Sequence, residues 1–170
     1  MFERIVIPLD GSRLASRALP FAVSIAKKFN SELMLMRVVS RTQNGYISES
    51  AGLGTPGNMD FIAEQIHSRD VENMAHAKRY LVNRANLLNH AGLDVTYHVL
   101  EGLPARSIID FSDAQKASLI VMMSHGRGWL KRTILGSVTD AVVHGSHVPV
   151  LVVRNNGNSG FSHLNEKGVT

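Results

Sequence analysis

Cysteine is absent from the chain. That excludes disulfide staples, thiolate metal sites and cysteine nucleophiles. It fits a reducing compartment, and a cytoplasmic protein is expected. Aromatic residues make up only 6% of the sequence and do not interleave with basic ones as on single-strand nucleic-acid platforms. The formal charge is +4, but apart from Lys27-Lys28 and the segment from Arg127 to Arg132 the basic residues are scattered. A nucleic-acid partner is therefore not expected. No run approaches the roughly 18 apolar residues of a membrane span, so no membrane partner is expected either. The start, Met1-Phe2-Glu3-Arg4-Ile5-Val6, enters a strand pattern almost at once, and no signal peptide is expected.

What is present describes one globular domain. A length of 170 residues, 44% of them hydrophobic and 19% charged, suffices for a single full core. Residues 3–9 read as a strand ending at Asp10-Gly11-Ser12, with Pro8 near its end where a missing N–H does least harm. Apolar positions from Leu14 to Phe29 then recur at helical spacing. Ser12 is the candidate cap, and Pro20 predicts a kink or early break. Glu32 to Val39 is a mostly apolar run, as in a strand covered on both faces. Residues 40–58 are rich in turn formers and are expected to be a mobile surface loop.

A long helical pattern follows from Met59 to Ala91 and is stopped by Gly92. Asp94 to Leu100 alternates like a half-buried edge strand. Pro104 opens another helix, Ser118 to Met123 is a fourth strand, Ser137 to His147 a last helix, and Val148 to Val153 a fifth strand. The tail, residues 155–170, has no apolar period and is expected to be disordered. Alternating strands and helices predict a single-domain α/β fold with a parallel sheet and helices on both faces.

In such sheets ligands bind at the carboxyl ends of the strands, beside a switch in strand order. Two turns qualify. Asp10-Gly11-Ser12 follows the first strand and places a carboxylate; alone, an Asp before Gly-Ser is also an ordinary turn residue. Ser124-His125-Gly126-Arg127-Gly128 follows the fourth strand and leads through Lys131 and Arg132 to Gly136-Ser137 at a helix start. Glycines permit close backbone approach, and a helix amino end offers N–H groups to an anion. Arg127, Lys131 and Arg132 suit phosphate oxygens, although a solvated basic loop reads equally well.

Neither turn is a Walker A loop or a dinucleotide fingerprint. No nucleophile is placed to pair with His125, so a hydrogen-bonding role suits it better than catalysis. His144 and His147 lack the further ligands a metal site needs. Met34, Met36, Met122 and Met123 read as core filler.

Pro8-Leu9-Asp10-Gly11-Ser12, Gly102-Leu103-Pro104, Leu119 to Gly128, Leu130-Lys131-Arg132, Leu135 to Thr139 and Val148 to Val153 together resemble the universal stress protein family. The likeness runs from residue 2 to about 154, so a family domain over 1–154 is expected. It implies a five-stranded Rossmann-like sheet in the order 3-2-1-4-5, similar to adenine nucleotide alpha hydrolases. A homodimer paired through the last strand, Val150 to Val153, is implied as well.

Nucleotide-binding members carry Gly-x2-Gly-x9-Gly-Ser/Thr. Carried over, the resemblance places Asp10 and Val38 against adenine and ribose, and Gly126, Arg127, Gly136, Ser137 and Val138 around the phosphates, with Thr139 nearby. Pro8, Leu9, Met122, Met123 and His125 complete the candidate set. The implied ligand is ATP, ADP or AMP, with Mg2+ as counter-ion. The implied role is a dimeric sensor or regulator in the stress response.

The departure is Met123, which stands where the motif has its first glycine, a position lying against the ribose in the family. Ser118, where relatives often have Asp, is a second departure. A protein-interaction module with a vestigial pocket is therefore the alternative. No carboxylate pair or base placed to activate water is evident, so enzymatic activity beyond slow ATP hydrolysis is not expected. An adenylate-forming or pyrophosphatase enzyme would need a Ser-Gly-Gly-x-Asp-Ser-like loop or a His-x-Gly-His pair, and neither is present.

Overall fold

The five predicted strands form one parallel sheet in the order 3-2-1-4-5. A computed structural model describes residues 1–40, 56–124 and 135–154. The strands are β1 (Arg4–Pro8), β2 (Glu32–Val39), β3 (Val95–Glu101), β4 (Leu119–Met123) and β5 (Val150–Val153). The helices are α1 (Leu19–Phe29), α2 (Pro56–His90), α3 (Pro104–Ala114) and α4 (Ser137–Gly145). Every residue of β4 is buried, the consequence of helices on both faces of a parallel sheet. β3 keeps the mixed burial of an edge strand, as its alternating sequence predicts.

Two cores lie on opposite faces. Ile5, Ile7, Leu33, Leu35 and Val121 pack with Ala22 and Ala26 of α1 and Leu81 and Ala85 of α2. Val6, Met34, Met36 and Ile120 pack with Ile108 and Phe111 of α3 and Val142 of α4. Alternate strand residues therefore divide between the faces, as a two-residue period requires.

Two boundaries differ from the sequence expectation by more than two residues. The first helical stretch is split into a short 3-10 turn, Ala15–Ala18, followed by α1. Pro20 falls in the first turn of α1, where its absent N–H has no intrahelical partner to lose, so it begins the helix and the break lies just before it. The Ser12 hydroxyl accepts from the Ala15 N–H at 3.0 Å and so caps the 3-10 turn rather than α1. The second difference is at α2, which begins at Pro56, inside the expected loop. The rest of that loop, residues 41–55, and the tail beyond residue 154 lie outside the described residues.

Candidate functional site

β1 pairs with β2 on one side and β4 on the other, so the chain changes winding direction between β1 and β4. The carboxyl ends of these two strands are therefore neighbours, the place where sheets of this kind bind ligands. On the β1 side, Pro8 ends the strand, and Leu9 is buried with its N–H donating to the Met36 carbonyl at 2.8 Å. Asp10 then emerges exposed. Its Oδ1 accepts from the Ser12 N–H at 2.7 Å, an Asx turn that fixes the carboxylate just beyond the end of β1. Gly11, between them, has φ +88°, a conformation side-chain-bearing residues rarely adopt.

On the β4 side, the chain leaves the sheet through Ser124, whose N–H donates to the Val153 carbonyl at 2.9 Å. It returns at Leu135 and Gly136 to start α4. Thr139, buried in the first turn of α4, donates from Oγ1 to the Met123 carbonyl at 3.2 Å. This holds the amino end of α4 at the carboxyl end of β4. The helix cap is Gly136, at φ −56° and ψ 151°, and it has no side chain with which to satisfy the first amides. Its carbonyl accepts the first helical bond, from the Asp140 N–H at 2.8 Å. An amino end of this kind suits an anion.

The fold thus gathers most of the sequence-predicted residues along one edge. Pro8, Leu9 and Asp10 end β1, Val38 lies near the end of β2, Met122 and Met123 end β4, and Gly136, Ser137, Val138 and Thr139 open α4. Val38 and Val138 pack against the same core, the one covered by α3 and α4. His125, Gly126 and Arg127 lie outside the described residues. Leu9, at 2% exposure, and Met123, at 5%, both belong to the core covered by α1 and α2. Their side chains are thus taken up by that core rather than offered at the sheet's edge. Among the described residues, no group of three or more His, Cys, Asp and Glu is arranged to hold a metal ion, and no helix is long and apolar enough to cross a membrane.

One residue at this edge escaped the sequence reading. The guanidinium of Arg37 lies against Gly11, so close that a Cβ placed on that glycine would be 2.7 Å from Nη1. Its signal in the sequence is a lone charge inside the apolar run Leu33-Met34-Leu35-Met36-Arg37-Val38-Val39.

The family model for universal stress proteins matches residues 1–154. The universal stress protein MJ0531 of Methanocaldococcus jannaschii is 34% identical over 154 residues, covering 91% of this chain and 83% of that protein. The solved structure of MJ0577 from the same organism superposes with a TM-score of 0.73 at 25% identity, covering 93% of this chain and 99% of that one. A universal stress protein solved in complex with cAMP gives a TM-score of 0.53 at 25% identity, with 90% and 97% covered.

Proposed function

We propose an adenine-nucleotide-binding function for this chain, which belongs to the universal stress protein family. The nucleotide occupies the crevice between β1 and β4. Base and ribose lie beside Asp10 and Val38, and the phosphates lie at the amino end of α4, on the backbone of Gly136, Ser137 and Val138. The loop carrying His125, Gly126 and Arg127 completes the phosphate side. ATP, ADP or AMP is the ligand class, with Mg2+ arriving on the phosphate oxygens.

The observation that carries this reading is the glycine-capped start of α4, pinned by Thr139 to the end of β4, the strand next to the one that the carboxylate turn of Asp10 follows. It unites an anion site with a hydrogen-bond acceptor of the kind a ribose or an adenine amine requires. A relative of the same fold binds cAMP, which supports the class of ligand. The reading extends to a cytoplasmic sensor or regulator, dimeric through Val150 to Val153, whose half-buried edge strand gains by pairing.

The deciding experiment is a titration of the full chain with ATP, AMP and cAMP, followed by calorimetry and by the amide resonances of Gly136, Ser137 and Val138. Saturable shifts at those amides are expected. Heat without shifts there would move the site elsewhere, and neither heat nor shifts would overturn the function.

A further inference from the structure

We propose that the cleft between the carboxyl ends of α1 and α2 binds a small zwitterion of the free α-amino acid class, Lys27 meeting its carboxylate and Asp94 its ammonium group. The cleft has a volume of about 240 Å³, and Lys27, Asn30, Ser31, Gly92 and Asp94 are among the residues that line it. Pockets for drug-sized ligands run to roughly 300–1,000 Å³, so the occupant is smaller than a nucleotide. Ser31 precedes β2 and Asp94 precedes β3, which puts the cleft at the amino edge of the sheet. It therefore lies at the opposite end of the strands from Asp10, Val38 and Gly136 and does not depend on what those residues bind.

Two opposite charges line this one space without pairing with each other. Among the described residues, neither Lys27 nor Asp94 takes part in an ion pair, and neither they nor Asn30 makes a side-chain hydrogen bond. A ligand of one charge pairs with one of them and leaves the other; a ligand carrying both signs a few bonds apart engages both. The main chain decides which end goes where. α1 closes on Asn30, at φ 54° and ψ 50°, and α2 is followed by Gly92, at φ 79°, so two helices direct their negative carboxyl ends at the cleft. Asp94 adds a full negative charge beside them, and an ammonium group relieves that repulsion. Ser31 is 3% exposed, and its buried hydroxyl has no hydrogen-bond partner among the described residues. A buried hydroxyl left unpaired is costly, so the wall it belongs to favours a polar occupant.

Hydrogen bonds fix the walls. The Asn30 and Ser31 N–H groups both donate to the Ala26 carbonyl, the latter at 3.1 Å. The Gly92 N–H donates to the Asn89 carbonyl at 2.9 Å. The Asn89 side chain ties the end of α2 to β3, accepting from the Val95 N–H at 3.0 Å and donating to the Val95 carbonyl at 3.2 Å. The Asp94 carbonyl accepts from the Leu33 N–H at 2.8 Å, which joins the two sides of the cleft. Gly92 leaves space on its own side, since a Cβ placed there meets nothing beyond its chain neighbours within 4 Å. A cleft built in advance loses little freedom on taking up a small ligand.

The test titrates the full chain with L-alanine, propionate and ethylammonium at constant ionic strength and reads the backbone amides of Asn30, Gly92 and Asp94. Saturable shifts with L-alanine are expected, and much weaker ones with the two singly charged probes. Lys27→Gln and Asp94→Asn change exposed side chains, so each variant should keep the native amide spectrum. Each should weaken the L-alanine response about fivefold, the scale of one exposed charge pair. No saturable shift with L-alanine, a response matched by either singly charged probe, or one unchanged in either variant would overturn the proposal. Equal shifts at Gly136, Ser137 and Val138 would mark a general salt effect and overturn it as well. None of these results bears on the nucleotide reading, which AMP tests at the α4 amides.

Discussion

The hydroxyl of Thr139 donates to the main-chain carbonyl of Met123, tying the first turn of α4 to the last residue of β4. Thr139 is only 3% exposed, so water cannot replace the bond when it is lost. Thr139→Val keeps the shape and removes the donor. A loss of about 1–3 kcal/mol in urea unfolding is expected from the orphaned carbonyl. AMP affinity should fall with it, because the amino end of α4 loses its anchor. Unchanged affinity would separate the tether from binding.

Met123 stands where the family motif has glycine, and its side chain is buried with Leu119, Val121 and Val153 on the face away from Val38 and Val138. Crowding of a ribose by that side chain was the ground for a vestigial pocket, and its burial in the core weakens that ground. Met123→Ala should therefore destabilise the protein by about 2–5 kcal/mol, as for other buried truncations, with no gain in nucleotide affinity. A variant that binds AMP more tightly would restore the crowding argument.

Asp10 has two tasks that one substitution can separate. Its Oδ1 accepts from the Ser12 N–H, and a carboxylate has further lone pairs for a ligand hydroxyl or amine. Asp10→Asn keeps an acceptor for Ser12 but turns the other oxygen into a donor. Stability should change by less than about 0.5 kcal/mol, the range of surface substitutions, while calorimetry should show affinity reduced about tenfold. If AMP affinity is retained, Asp10 has no part in binding the nucleotide.

The sheet was legible because its strands are short apolar runs bounded by turn residues, and β3 declared its edge position through alternation. The carboxylate turn and the glycine-capped helix were legible because each is a local pattern. Arg37 was not, since its meaning depends on Gly11 and Tyr80, which are remote in sequence and meet it only when β1, β2 and α2 assemble. The start of α2 was hidden by Gly52, Gly54, Pro56 and Gly57, a composition that reads as loop although proline suits a first helical turn. The 3-10 turn before α1 escaped because apolar spacing over four residues does not distinguish it from an α-helix.

Gly11 is constrained twice, by φ +88° and by the Arg37 guanidinium packed against it. Gly11→Ala should cost about 1–2 kcal/mol from the backbone conformation alone, and more from the contact with Nη1. Arg37→Gln in the same chain should return the second part and leave the first. Denaturation of the two single variants and the double variant measures this coupling. Strictly additive losses would show that the guanidinium yields freely.

His98 gives the fold an acid sensitivity. It lies on β3 with its ring 4.7 Å from that of Phe111 in α3, and its buried Nε2 has no hydrogen-bond partner. Desolvation holds its pKa below the ordinary 6.5, while the nearby Glu32 carboxylate pulls more weakly the other way. The imidazole is thus kept neutral in the fold and protonates more readily when the chain unfolds. Its stabilising contribution is whole above pH 6.5 and is lost as the pH falls from there through the lower folded value. Urea midpoints measured at about pH 7.5 and about pH 5.5, either side of the free imidazole value, should fall more in the native protein than in His98→Leu. The other histidines are common to both proteins and cancel. Equal falls would place the acid sensitivity elsewhere and leave His98 a packing residue beside Phe111.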